Sequence, residues 1–134
     1  KIILDGSWEG DDLIDPIQII VKDGLLVSAT GDPTSADIEA FFEASSQAMR
    51  AGKGHLVRTL SEFSFGMNPR AKRGLGLLED QCWRGGAMFA FGNNVVLGGT
   101  ASVHTSVRGL MTRPTVEVDG RPLVIDGKYT PRSQ

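Results

Sequence analysis

The chain has 134 residues, a formal net charge of −2 and 22% charged side chains; that is enough for one domain with a real core, without the basic balance of a nucleic-acid-binding surface. No apolar run reaches the ~18 residues of a membrane span, no secretory leader is recognisable, and a single cysteine, Cys82, leaves no internal disulfide and points to a reducing compartment. These features favour a cytoplasmic domain that engages neither nucleic acid nor membrane.

In chain order, Lys1 leads directly into Ile2-Ile3-Leu4, an apolar run that reads as a strand entered in mid-protein. Asp-Gly steps at Asp5-Gly6, Asp23-Gly24, Asp119-Gly120 and Asp126-Gly127 mark tight turns, because glycine takes positive φ freely and aspartate tolerates it. The β-rich runs Ile17–Lys22 and Leu25–Thr30 flank one of these steps and predict a hairpin; 115–118 and 122–125 repeat the design around Asp119-Gly120. After Pro33, Thr34 and Asp37 have capping-box spacing, and Ile38, Phe41, Phe42 and Met49 fall on one face. The pattern predicts an amphipathic helix over 35–50, stopped near Gly52.

Residues 56–65 read as a strand with Phe63 and Phe65 on one face and Leu60, Glu62 and Ser64 on the other. A second, weaker helix is expected after Asn68-Pro69, with Gly74 and Gly76 each costing it ~1 kcal/mol relative to alanine. Further strands are expected at 87–91 and 102–110. The class is therefore α+β: a largely antiparallel β-sheet with hairpins and one or two helices.

Few residues offer chemistry. The histidines are His55 and His104, no G-x-S-x-G elbow is present, and Cys82 beside Trp83 reads as a buried, inert thiol. Gly85-Gly86 and Gly98-Gly99 lack the Lys-Ser/Thr of a phosphate loop. What remains is Glu62, set among aromatics; the acidic step Glu79-Asp80; and His104, which shares a strand face with Ser106. Carboxylate plus imidazole suits Zn²⁺, Mn²⁺ or Fe²⁺. The alternative is that Glu62 pairs with a cation such as Arg58, that Glu79 and Asp80 are solvated, and that His104 is an ordinary polar residue.

The order of motifs resembles one known family. Glu62-Phe63 followed by Gly66-Met67-Asn68-Pro69-Arg70-Ala71, then Glu79-Asp80, then Gly85-Gly86-Ala87-Met88-Phe89-Ala90-Phe91-Gly92, is similar to the C-terminal portion of aminopeptidase T-type metallopeptidases. So are Gly98-Gly99, Val103-His104-Thr105-Ser106, the segment from Pro114 to Gly120, and Ile125-Asp126-Gly127. Leu4-Asp5-Gly6-Ser7 and Pro16-Ile17 also fit. The family includes metal-dependent aminopeptidases and a related branch of iron-dependent, ring-cleaving dihydroxypyridine dioxygenases.

The resemblance implies a single C-terminal-type domain over 1–134, an N-terminal domain or chain of the same gene product as partner, and a homo-oligomer. It implies Glu62 as a metal-binding glutamate and His104 as the histidine of a His-x-Asp pair. Glu79 or Asp80 stands near the acidic position, with Gln81 at it by the simplest count. Met88 and Ser106 stand where the family has a histidine and an aspartate. Thioether and hydroxyl are poor replacements on a hard divalent ion, so the two-metal centre is expected to be absent.

The resulting expectation is a hydrolase-like protein acting on a small amide, peptide or related metabolite. Its site is remodelled, either mononuclear (Glu62, His104, Asp80 on Zn, Mn or Fe) or metal-free, with Glu62 or Glu79 as general base. The alternatives are a non-catalytic assembly subunit with a decayed site, or a ring-cleaving dioxygenase-like enzyme.

Overall fold

A computed structural model describes residues 1–50 and 52–131. The strands are β1 (Ile2–Leu4), β2 (Ser7–Trp8), β3 (Asp11–Asp12), β4 (Ile17–Lys22), β5 (Leu25–Thr30), β6 (Leu60–Phe65), β7 (Ala87–Gly92), β8 (Ser106–Met111), β9 (Val116–Val118), β10 (Arg121–Ile125) and β11 (Lys128–Tyr129). The helices are α1 (Thr34–Ala48) and the one-turn α2 (Leu77–Asp80), with 3-10 turns at Gly54–Arg58 and Val95–Leu97. Named strands pair antiparallel throughout, in sheets ordered β1-β4-β5, β3-β2-β8-β7-β6 and β11-β10-β9. The α+β reading holds.

Turn chemistry sets the registers. Asp23-Gly24, Asp119-Gly120 and Asp126-Gly127 all place both residues at positive φ and join Lys22 to Leu25, Val118 to Arg121 and Ile125 to Lys128. Such two-residue turns match the twist of the flanking strands. Glu9-Gly10 makes the same turn between Trp8 and Asp11, which composition alone does not announce. Asp5-Gly6 is not a hairpin: the Asp5 carboxylate accepts hydrogen bonds from the Thr112 amide (2.6 Å) and hydroxyl (2.8 Å), clamping the end of β1 to the end of β8.

The core lies between the β1-β4-β5 sheet, α1 and one face of the five-stranded sheet. Leu4, Ile17, Ile19, Ile38, Phe42, Val57 and Phe91 are essentially inaccessible. Phe42 sits at the centre, edge-on to Trp8, Phe41 and Phe91 with ring centroids 5.4–6.4 Å apart. Burying such a ring is worth up to ~3 kcal/mol.

Six local expectations need correction. The start of α1 is not capped by Thr34: Asp32, 2% exposed, accepts the amides of Thr34, Ile14 and Asp15. Those bonds hold its carboxyl at about 2, well below the usual carboxylate range. Residues 56–65 are not one strand, because Gly54–Arg58 winds as 3-10 before β6 begins. A bulge between Leu60 and Glu62 pairs Leu60 with Phe91 and packs it against the core, away from Glu62. The helix after Asn68-Pro69 shrinks to Leu77–Asp80, since Gly74 and Gly76 both adopt positive φ. The strand over 102–110 begins only at Ser106, and Cys82 is exposed.

Candidate ligand face on the five-stranded sheet

Register assigns side chains to the two faces. Phe63, Phe65, Phe89, Phe91, Val107 and Met111 share the core-side parity. On the opposite face one rung runs Ser64, Met88, Leu110, Ser7, Asp12, and the next runs Glu62, Ala90, Arg108. Met88, Ala90 and Leu110 are buried there, outside the main core cluster.

The segment between β6 and β7 reaches this second face. It doubles back through an Asn68–Trp83 bridge, with Gly66 lying so close to the Trp83 carbonyl that any Cβ would sit 1.9 Å from it. Arg73 then pairs with Asp12 at 2.9 Å. The acidic step serves this loop: Asp80, 6% exposed, accepts the Gly74 amide at 2.7 Å and Glu79 accepts the Lys72 amide at 3.1 Å. Both carboxylates hold backbone in place.

Glu62 stays half-buried and, among the described residues, makes no ion pair or side-chain hydrogen bond; Arg58 instead pairs with Glu39 at 3.4 Å and Glu43 at 3.9 Å. On its rung, Arg108 has its backbone fixed from both sides by Glu9, whose carboxylate accepts the Arg108 amide and whose own amide donates to the Arg108 carbonyl at 2.8 Å. Among the described residues the Arg108 Nε is buried with no hydrogen-bond partner, as are the Ser61 and Ser64 hydroxyls. Orphaned buried donors of this kind cost free energy unless a ligand or water meets them.

His104 is exposed, in the loop before β8. Asn93 holds that loop, donating from its side chain to the Val103 carbonyl (2.6 Å) and from its amide to the Thr105 carbonyl (2.7 Å). Ser102, His104, Ser106 and Arg108 alternate with buried Ala101, Val103, Thr105 and Val107, so the first four look the same way. His104 nonetheless lies outside β8, four residues before Arg108 in the chain, and joins no group of ligating side chains with Glu62. Met88 pairs with Leu110 and Ser106 with Gly92, so these two positions are about 13 Å apart along the strand.

Metal ligands must converge to within ~2–2.6 Å of one ion. Among the described residues no group of three or more His, Cys, Asp or Glu side chains does so. Glu62, His104 and Asp80 are not gathered, and the donor set does not fit an iron or zinc centre.

Sequence reasoning missed Arg108. The alternation through 102–110 places it with His104 and Ser106; its alignment with Glu62 needs the β6-β7-β8 register, which no local pattern supplies.

No protein-family model matches the chain, and no curated protein matches it. Among solved structures it is similar to the 2,5-dihydroxypyridine dioxygenase from Pseudomonas putida KT2440, with a TM-score of 0.73 and 16% identity over 93% of this chain. The chain spans 37% of that protein's length. The likeness falls on the dioxygenase side of the family resemblance and lends nothing to the peptidase side; at this identity, what it establishes is a shared α+β fold.

Proposed function

We propose that this domain binds a small, oxygen-substituted ring metabolite on the second face of the five-stranded sheet, using its own side chains and no metal. The observation that carries the reading is the Glu62–Ala90–Arg108 rung, with one unpaired acceptor and one buried, unpaired donor on either side of a small residue. A ring carrying two oxygens on opposite edges suits the gap of about 10 Å between the outer backbones. Arg108 donates to the more acidic oxygen, as an anion, in a charge-assisted bond. Glu62 accepts from the remaining hydroxyl and Ser64 supplies a further hydroxyl, while buried Met88 and Ala90 fix the strands that carry these groups. The solved structure with the same fold acts, by its name, on a dihydroxypyridine, which supports this ligand class.

The residues present do not fit the iron that a dioxygenase would use, so no ring-opening step is derived for them. Calorimetric titration of 2,5-dihydroxypyridine into chelator-treated protein tests the reading. Binding is expected without metal, weakened about tenfold or more by Arg108→Leu and less by Glu62→Gln. Binding that appears only on adding Fe²⁺, with oxygen uptake, would instead favour the ring-cleaving enzyme. Unchanged affinity in Arg108→Leu would remove the site.

A further inference from the structure

The opposite side of the same sheet carries a cleft that the ligand face does not use. On β6, Phe63 is 40% exposed although it belongs to the core-side row. Phe63 stacks on Phe89 with centroids 4.6 Å apart and planes at 26°, and meets Phe65 edge-on at 4.5 Å. Phe63 and Phe89 supply the aromatic floor of the cleft, with Phe65 supporting Phe63 from the side. β1, through Ile3, makes one wall, and the strand-like arm from Arg113 to Glu117 makes the other, enclosing about 520 Å³. Clefts of roughly 300–1,000 Å³ with an apolar lining and few polar groups are the ordinary form of small-molecule sites.

The charges at the mouth narrow the ligand. Asp5 lines the cleft, but its carboxylate is already satisfied by Thr112. Arg113 has one weak partner, Asp126, at 3.8 Å, with both side chains largely exposed, a pair that contributes little and leaves the guanidinium free to turn inward. Lys1 and Glu117 also line the cleft, and their opposite charges offset, which leaves Arg113 as the cation for one carboxylate.

We infer that this cleft binds a flat aromatic monocarboxylate, its ring laid on Phe63 and its carboxylate held by Arg113. Ring stacking supplies about 0.5–1.5 kcal/mol beyond buried area, and a guanidinium–carboxylate pair can be bidentate. The proposal rests on different residues from the Glu62–Arg108 rung and stands or falls apart from it.

The test is calorimetry on the whole chain with 1-naphthoate, 1-naphthalenemethanol and phthalate as probes, backed by two-dimensional NMR on the β1, β6 and 113–117 amides. Naphthoate is expected to bind more tightly than the neutral alcohol and than the dianion. Phe63→Ala should weaken it about tenfold and Arg113→Gln about threefold or more. Arg108→Leu should leave it unchanged. Phe63→Leu, which keeps an apolar floor and the fold, should still weaken it severalfold. No binding at about 5 mM, equal affinity for the alcohol, or loss only in Arg108→Leu would each overturn the inference.

Discussion

The two faces of the five-stranded sheet use the same strands for opposite ends. On the core face large side chains meet apolar partners from α1 and β1: Phe91 packs edge-on to Phe42, and Leu4 lies against the bare backbone of Gly109, where a Cβ would stand 2.5 Å from it. On the other face, buried Met88 and Ala90 lie beside the Ser64 hydroxyl and the Arg108 Nε, both buried without a partner among the described residues, and beside half-buried Glu62. A core is stable because its groups are mutually satisfied; a binding face is competent because some of them are not. The contrast predicts that truncations in the buried core of the first face change stability and that substitutions at the polar groups of the second change binding.

Phe42→Ala should show the largest effect. It removes a fully buried ring and should cost about 3–5 kcal/mol in urea unfolding. A loss under about 1 kcal/mol would mean that the core is not where it is described.

Gly66→Ala comes next, because its Cβ would meet the backbone of Trp83, not a mobile side-chain tip. A loss of about 2–3 kcal/mol is expected, together with faster amide exchange along 66–86, the segment that reaches the ligand face.

Asp32→Asn should lower the melting temperature by several degrees, since three amides lose an ionised acceptor. The pH dependence has a definite sign. The folded carboxyl titrates at about 2 and an unperturbed one at 3.8, so the unfolded chain binds the proton more readily. The stabilisation is complete above pH 3.8 and disappears as pH falls toward 2; the asparagine variant should show a flatter acid limb.

Arg108→Leu should have the smallest effect on stability, within about 1 kcal/mol and possible in either direction, because it removes an orphaned donor and keeps apolar bulk. Urea unfolding measures it, and a large loss would show that Arg108 holds the fold together.

What was legible in the sequence follows the range of the interactions. Asp23-Gly24 and Asp119-Gly120 announce their hairpins because two adjacent residues decide the turn. Ile38 and Phe42 announce α1 because helical periodicity is local. The cap on α1 was misassigned to Thr34 because Asp32 also binds Ile14 and Asp15, a long-range commitment that outweighs the local pattern. Glu62 was singled out from its aromatic setting and does lie on the candidate face. His104 lies in the loop before β8 and does not join it. Glu79 and Asp80 were read as chemistry, whereas Gly74 and Lys72 amides claim them once the loop closes. Arg108 acquires meaning only when β6, β7 and β8 are laid side by side.

The central claim is that the Glu62–Arg108 face holds its ligand without a metal. Titrating 2,5-dihydroxypyridine into wild-type and Arg108→Leu protein, each in excess chelator and then with Fe²⁺, addresses it most directly. The account predicts wild-type binding that is indifferent to chelator and iron and is weakened about tenfold or more in the variant. Binding that requires Fe²⁺, or that survives the loss of Arg108 intact, would contradict it.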